Sequence, residues 1–237
     1  MSSAQEDSGL LFVYGECGSD VTEEEFNDWY DNEHAPARLA LPGISTGFRY
    51  KAPDGTTPSW LAIYDTTTPE YLQKDAYKSL SINASEREKS IVSRLAILNR
   101  RIYTRIATLE KPGFDAAADL PAKALLVTGR QPASPEGEED LNRWYTEEHF
   151  VLLAKVPGFL RARRYKLVSQ IELAGKADVN PPSVAYPYLA VYEFDHEAFR
   201  DDPAFKAAVS TAWTAKVNSQ TAGSEKRLFV LHKSFSK

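Results

Sequence analysis

Short apolar runs alternate along this chain with amphipathic stretches, and the alternation occurs twice. Leu10–Gly15 (LLFVYG) reads as an apolar strand closed by glycine. Thr22 followed three residues later by Glu25 forms a capping box, and the acidic run Glu23–Glu25 suits the positive end of a helix dipole. That helix is predicted to run to about Leu41, where Pro42-Gly43 turns the chain, with Pro36 as a kink just after His34. Ile44–Lys51 is predicted as the second strand, Pro53-Asp54-Gly55 as its turn and Trp60–Asp65 as the third strand. Thr68-Pro69 opens further helix through Tyr71–Leu80 and, after a break, Glu86–Leu95, and Arg101–Ala107 supplies a fourth strand. The order is βαββαβ.

The same order returns. Trp29 corresponds to Trp144, 115 residues on, and at that offset Asn27, Tyr30, Glu33, His34, Pro42, Gly43, Arg49, Tyr50 and Lys51 recur with the same identity and spacing. Trp60–Asp65 (WLAIYD) matches Tyr188–Glu193 (YLAVYE) at an offset of 128, so 13 residues enter the second copy between its second and third strands. Its predicted elements are strand Ala124–Gly129, a helix opened by Ser134-Pro135 or Asp140 and ending at Pro157-Gly158, and strand Phe159–Val168. Then follow an inserted surface loop Ser169–Pro187, strand Tyr188–Glu193, Asp195 as N-cap of a helix over Glu197–Val217, and strand Arg227–Phe235. A period of this size means duplicated domains rather than a solenoid. The organisation expected is a disordered lead-in (1–9), a first repeat (10–109), a linker (110–122) and a second repeat (123–237).

Each βαββαβ copy describes a ferredoxin-like unit, an antiparallel sheet with both helices on one face. The other face should be wet, yet the first and third strands are apolar on both sides, for example Trp60, Ala62 and Tyr64 against Leu61 and Ile63. Something must cover the open face, and the second copy is the obvious partner. The fold class expected is α+β, with two ferredoxin-like repeats forming a pseudo-dimeric α/β barrel in one chain.

Composition narrows the function classes. Net charge is −5 with no basic cluster, which removes the attraction to phosphate that nucleic-acid binding needs. No apolar run approaches the ~20 residues of a spanning helix, and the polar, acidic Met1–Gly9 does not read as a signal peptide, so no membrane partner and a cytoplasmic location are expected. The lone Cys17 excludes an internal disulfide. Four Trp, twelve Tyr and eleven Phe are enough to line apolar pockets as well as cores.

The WYDNEHAPAR, PG and RYK blocks, with WLAIYD after them, resemble the EthD-like branch of the dimeric α/β-barrel superfamily in a fused tandem form. The resemblance implies an internal pseudo-dimer, with room for further homodimerisation. Relatives on this scaffold include polyketide cyclases, decarboxylases of aromatic polyketide acids, cofactor-free monooxygenases and muconolactone isomerases. Fold alone does not select among them.

At ~100° per residue, Phe26, Trp29, Tyr30, Glu33, Ala37 and Leu41 share one face of the repeated helix, with His34 at its edge and Asp28, Asp31 and Arg38 towards solvent. Leu141, Trp144, Tyr145, Glu148, Leu152 and Val156 repeat that face, with His149 at its edge. A carboxylate within an apolar stripe must be paired, protonated or open to a wet pocket. Glu33 and Glu148 are thus either anchors, bonded to backbone amides or to Arg49 and Arg164, or partners of the histidines. The resemblance places its characteristic histidine at His34 and His149, and imidazole can move a proton near neutral pH. Tyr30 and Tyr145 either donate to a substrate oxygen or fill space. His196 reads as solvated or capping, and His232 as a strand histidine. No metal set emerges, since one Glu-His pair per copy falls short of a zinc site, and neither a phosphate-binding Gly-rich loop nor a nucleophile elbow is present. The expectation is a cofactor-independent enzyme acting on a small aromatic or polyketide-like molecule. His34 or His149 serves as acid or base, Glu33 or Glu148 fixes tautomer or charge, and Tyr30, Tyr145, Arg49 or Arg164 binds substrate. Decarboxylation, cyclisation and isomerisation fit. A cofactor-free monooxygenase and a non-catalytic small-molecule-binding accessory protein are the alternatives.

Overall fold

The computed structural model of the chain describes residues 8–175 and 184–235. In the first copy β1 (Gly9–Glu16) leads to α1 (Glu23–Trp29), a π-helical turn (Tyr30–His34) and α2 (Ala35–Leu39). Strands β2 (Gly47–Lys51) and β3 (Trp60–Thr66) precede a 3-10 turn (Pro69–Gln73), α3 (Asp75–Ile82), α4 (Glu86–Arg94) and β4 (Ile97–Glu110). After a short α5 (Ala116–Asp119) come β5 (Ala124–Pro132), α6 (Pro135–Trp144), a second π-helical turn (Tyr145–His149) and α7 (Phe150–Leu153). The chain ends with β6 (Phe159–Gly175), β7 (Tyr188–Phe194), a 3-10 turn (Glu197–Asp201), α8 (Pro203–Ala208), α9 (Ala212–Ser219) and β8 (Thr221–Phe235). The capping box is formed: Thr22 Oγ1 accepts from the amide of Glu25 at 3.1 Å.

β1 lies antiparallel between β3 and β4, with Phe12 opposite Ile63 on one side and Arg101 on the other, and β2 pairs with β3 so that Arg49 faces Ala62. β5 lies in the same way between β7 and β8, with Val127 opposite Val191 and Arg227. The hydrogen-bonded strand order is β1-β3-β2-β8-β5-β7-β6-β4, a closed barrel. The fold is therefore α+β with a closed eight-stranded antiparallel barrel, and the double-sided burial of β1 and β3 is what an apolar pattern on both faces requires.

Two compact units share the chain. Unit 1 comprises Met1–Arg105, Lys166–Ala185 and His232–Lys237, and unit 2 comprises Ile106–Tyr165 and Tyr186–Leu231. In unit 1, Phe26, Trp29, Tyr30 and Leu39 pack on Leu11, Val13, Ala62 and Tyr64. In unit 2, Leu141, Trp144, Tyr145 and Leu153 pack on Leu126, Ala190 and Tyr192.

Several expectations about elements need correction. Ser169–Gly175 belongs to β6 rather than to a loop: Ile171 and Leu173 alternate with Gln170 and Glu172, a period of two that overrides the polar composition. The rest of the expected insertion falls partly on 176–183, outside the described residues, as does most of the N-terminal lead-in, although Gly9 already belongs to β1. The single helix over Glu197–Val217 is divided: Pro203 opens a new helix capped by Asp202, and Thr211 caps another. Asp195 caps nothing there, for the N-cap position is His196, without a side-chain bond. Within the expected linker, Glu110 ends β4 and Lys111 Nζ pairs with Asp119 Oδ1 of α5 at 2.6 Å.

Candidate functional site

The π-helical turns fix which side chains face inwards. One extra residue in a turn rotates everything after it by about 100° relative to an unbroken α-helix. His34, Ala35, Arg38 and Leu39 are consequently buried, whereas Glu33, Ala37 and Leu41 are only partly so. In the second copy His149, Phe150 and Leu153 are buried and Glu148 is not. Pro36 is not the cause, because Val151 occupies its place in the second copy and the turn is the same.

The expected stripe holds at Phe26, Trp29 and Tyr30 and at Leu141, Trp144, Tyr145 and Val156, and fails at Glu33, Ala37 and Leu41 and at Glu148 and Leu152. Glu33 accepts a hydrogen bond from the Ser85 hydroxyl, and Glu148 accepts one from Thr211 at 2.6 Å. Those two hydroxyls cap α4 and α9, so each glutamate ties the repeated helix to a helix start. Among the described residues neither glutamate bonds an arginine, a backbone amide or the adjacent imidazole. Arg38, expected in solvent, is buried and donates from Nη1 to the His34 carbonyl at 2.8 Å.

In unit 1, His34, Arg38 and Glu88 line a cavity of about 540 Å³ whose other walls include Leu72, Tyr77, Leu80, Val92, Leu98, Ile171 and Leu173. His34 Nδ1 lies 3.1 Å from Glu88 Oε1. Burial, followed by the Arg38 charge, pushes the imidazole down to about 3 against the pull of Glu88, so the ring is neutral at pH 7. Burial raises the Glu88 carboxyl, but the hydrogen bond from His34 and the Arg38 charge oppose it and the net shift is downward. An ionised carboxylate accepts only, so Nδ1 carries the proton and Nε2 keeps its lone pair.

In unit 2, His149 lines a cavity of about 450 Å³ with Arg130, Trp144, Tyr192, Thr214, Asn218, Glu225 and Lys226. Its ring stacks on Trp144, centroids 4.0 Å apart at 20°. Burial first, then the Arg130 charge, pushes it down to about 3. Strand register and helix caps make the two copies comparable position by position. Glu88 and Thr214 each lie three residues after a capping hydroxyl, and Arg38 corresponds to Leu153. Gly15, opposite Trp60, corresponds to Arg130, opposite Tyr188. The imidazole that has a carboxylate and a guanidinium in the first copy has neither at those positions in the second.

The residues expected to bind substrate lie apart from both cavities. Arg49 bonds Asp31 at 2.5 Å and Asn27 at 2.7 Å, with its guanidinium 4.3 Å over the Tyr30 ring, and the gap around it leaves no room for a water molecule. Tyr30 accepts from the Tyr64 hydroxyl at 3.3 Å. Arg164 repeats the stack on Tyr145 at 4.1 Å and the bond to Asn142 at 2.8 Å, but Thr146 stands where Asp31 does in the first copy. Burial lowers its pKa. These groups knit helix to sheet, and Tyr30 meets the site only through its ring, 4.7 Å from that of His34. His196 lies 3.6 Å from Asp195, and His232 packs edge-on to Trp60 at 4.8 Å. Among the described residues no group of three or more His, Cys, Asp or Glu is placed to hold a metal ion. Nor is any helix among them long and apolar enough to cross a membrane.

Sequence reasoning missed Glu88, Arg38 and Arg130. The repeat did hold one signal: the second copy has apolar Phe150 and Leu153 at the positions of Ala35 and Arg38, marking the true inner face.

Solved structures place the chain among known folds. It matches an anthrone oxidase-like protein at 14% identity over 100% of this chain and 95% of that one, with a TM-score of 0.59. A monooxygenase-like protein from Fusobacterium nucleatum subsp. nucleatum matches at 11% identity, 98% and 95% coverage and a TM-score of 0.59. A chlorite dismutase-like protein matches at 14% identity, 96% and 95% coverage and a TM-score of 0.53. What they share with this chain is the fold. No protein-family model matches the sequence. No curated protein matches it either.

Proposed function

We propose that this protein is a small-molecule enzyme whose chemistry is proton transfer in the unit 1 cavity. His34 is the base, Glu88 holds its tautomer and stabilises the imidazolium as it forms, and Arg38 binds a developing oxyanion or a substrate carboxylate. The observation that carries this reading is the 3.1 Å contact of His34 with Glu88 at the wall of a cavity that joins apolar side chains such as Leu72, Tyr77 and Leu98 to the cations Lys78, Lys89 and Arg100. The apolar part of the walls suits an aromatic or polyketide-like substrate. In isomerisation and cyclisation His34 takes a proton and returns it at another atom, and in decarboxylation it delivers to the carbanion left by CO2 the proton it has taken up from the substrate or from water. The sequence resemblance to the EthD-like branch supports the same assignment, with repeats 10–109 and 123–237 as the halves of a fused pseudo-dimer acting in the cytoplasm. The proposal uses only side chains of the chain and calls on no metal or organic cofactor.

The names of the fold neighbours favour a second reading, an oxygenase, and on this chain a cofactor-free form of it would begin with the same proton abstraction by His34. One experiment addresses both. A panel of aromatic C–H acids including anthrone is incubated in D2O with the wild-type chain and with His34→Gln, while deuterium incorporation and oxygen uptake are followed together. Exchange that depends on His34 without oxygen uptake supports the lyase or isomerase reading, and stoichiometric uptake supports the oxygenase. Binding without exchange by any panel member leaves a non-catalytic carrier.

A further inference from the structure

Like its counterpart, the unit 2 cavity is lined by more cationic than anionic side chains. Arg130 on β5 and Lys226 on β8 both line it, and the register sets Thr128 opposite Lys226 and Arg130 opposite Ser224. The two cations are therefore diagonal neighbours on one face of the sheet. Neither forms an ion pair among the described residues. Arg130 has Asn218 Oδ1 at 2.9 Å from Nη1 and the Trp144 ring 5.3 Å from its guanidinium carbon, while its Nε is buried with no acceptor. Nδ1 of His149, in the same cavity, is also buried without a partner. Lys226 has the Phe205 ring at 5.3 Å, and its ammonium is held below its ordinary value by burial and by the charges of Arg200 and Arg130. Glu225, the one carboxylate of the lining, is engaged by Arg227 at 3.6 Å.

The arginine belongs to the second copy alone. In the first, Gly15 stands there, and a Cβ on it would meet the Phe26 ring at 3.2 Å. Leu141 replaces Phe26 in the second copy. A smaller side chain on the helix thus accompanies a guanidinium in the cavity.

Two neighbouring cations, a buried unpaired N–H and a wall of stacked Trp144 and His149 with Tyr192 nearby are complementary to a planar ring bearing a carboxylate. We propose that the unit 2 cavity binds a small aromatic carboxylate, its charged group held between Arg130 and Lys226 and its ring beside the wall of His149 and Tyr192. This does not rest on the proton-transfer reading of unit 1.

The test is calorimetric titration of the full chain with 2-naphthoate, with neutral 2-naphthamide and with inorganic phosphate. Wild-type protein is compared with Arg130→Gln, Lys226→Gln and, as a control in the other cavity, Lys89→Gln. Lys226 is exposed along its stem and only its ammonium end is drawn towards the cavity, so its variant is expected to fold even where Arg130→Gln does not. Naphthoate should bind about tenfold or more tighter than naphthamide, and each variant of Arg130 or Lys226 should weaken naphthoate by about tenfold while Lys89→Gln leaves it unchanged. Equal affinity for naphthoate and naphthamide, phosphate binding as tight as naphthoate, or naphthoate binding untouched by Lys226→Gln would each overturn the proposal. Because heat of binding is read rather than turnover, an inactive His34→Gln protein should still titrate normally.

Discussion

Glu88 stands 3.1 Å from Nδ1 of His34, whereas the corresponding position of the second copy, three residues after the capping Thr211, is Thr214. Among the described residues, of these two imidazoles His34 alone is paired with a carboxylate that can stabilise it when it takes a proton. Glu88→Gln keeps the shape and removes the charge, so it should lower kcat by about 100-fold or more with KM little changed. His34→Gln should cost as much, and the double variant no more than either, since the two act as one unit. Thr214→Val should leave turnover as it is. Full activity in Glu88→Gln would defeat the dyad.

Glu33 and Glu148 should behave differently from their histidine neighbours. Each accepts from a helix-capping hydroxyl and is partly exposed, so Glu33→Gln and Glu148→Gln should each change stability by about 1 kcal/mol or less and leave turnover alone. Chemical denaturation and the exchange assay check the two halves of this statement. An activity loss in Glu33→Gln as large as that in His34→Gln returns the glutamate to the chemistry.

The contrast between these neighbours shows what was legible before the structure. Strands β1, β3, β5 and β7 and the sense of the repeat follow from apolar period and glycine placement, and barrel closure follows from apolar residues on both faces of β1 and β3. The histidine position is equally clear from the repeat. Its surroundings are not, because a helical wheel assumes 3.6 residues per turn throughout and a single π-turn breaks that assumption. The error passed from Glu33 to Arg38 through one geometric step. Glu88, 54 residues from His34 and on another helix, could not be reached by any local pattern. Arg130 was hidden by its strand, where it reads as an ordinary terminal polar residue.

A buried ion triad in unit 2 carries a stability prediction. Arg161 bonds Glu193 through Nε at 2.6 Å and Nη2 at 2.9 Å, Arg163 adds a third bond at 3.1 Å, and the carboxylate is fully buried. Glu193→Gln leaves two buried guanidiniums without their shared anion. The expected loss is about 3–5 kcal/mol, read as a lower urea midpoint. A loss under about 1 kcal/mol means that other groups neutralise the arginines.

The two buried histidines should make stability fall with acid in a window set by their shifts. Both are pushed down to about 3 in the folded chain from an ordinary value of 6.5. Between those values the unfolded chain takes up protons that the folded chain refuses, so the stabilisation is complete above about 6.5 and is lost progressively as pH falls towards 3. Each histidine contributes a slope of about 1.4 kcal/mol per pH unit well below 6.5. Carboxylates add their own loss lower down: Glu88, whose pKa is lowered on folding, contributes stability that is present above its unfolded value of 4.5 and lost below it. Denaturation between pH 5 and 6.5 therefore isolates the imidazoles. His149→Gln, which removes one group and leaves His34, should show a shallower decline than the wild type across that range, by up to about 1.4 kcal/mol per pH unit at its acid end. The measurement is the urea midpoint and m-value at several pH values for both proteins, so that a uniform loss from the broken Trp144 stack is separated from a change in slope. Parallel lines for the two proteins mean that His149 titrates in the folded chain as it does unfolded, which requires water or a compensating anion in the unit 2 cavity and contradicts its burial.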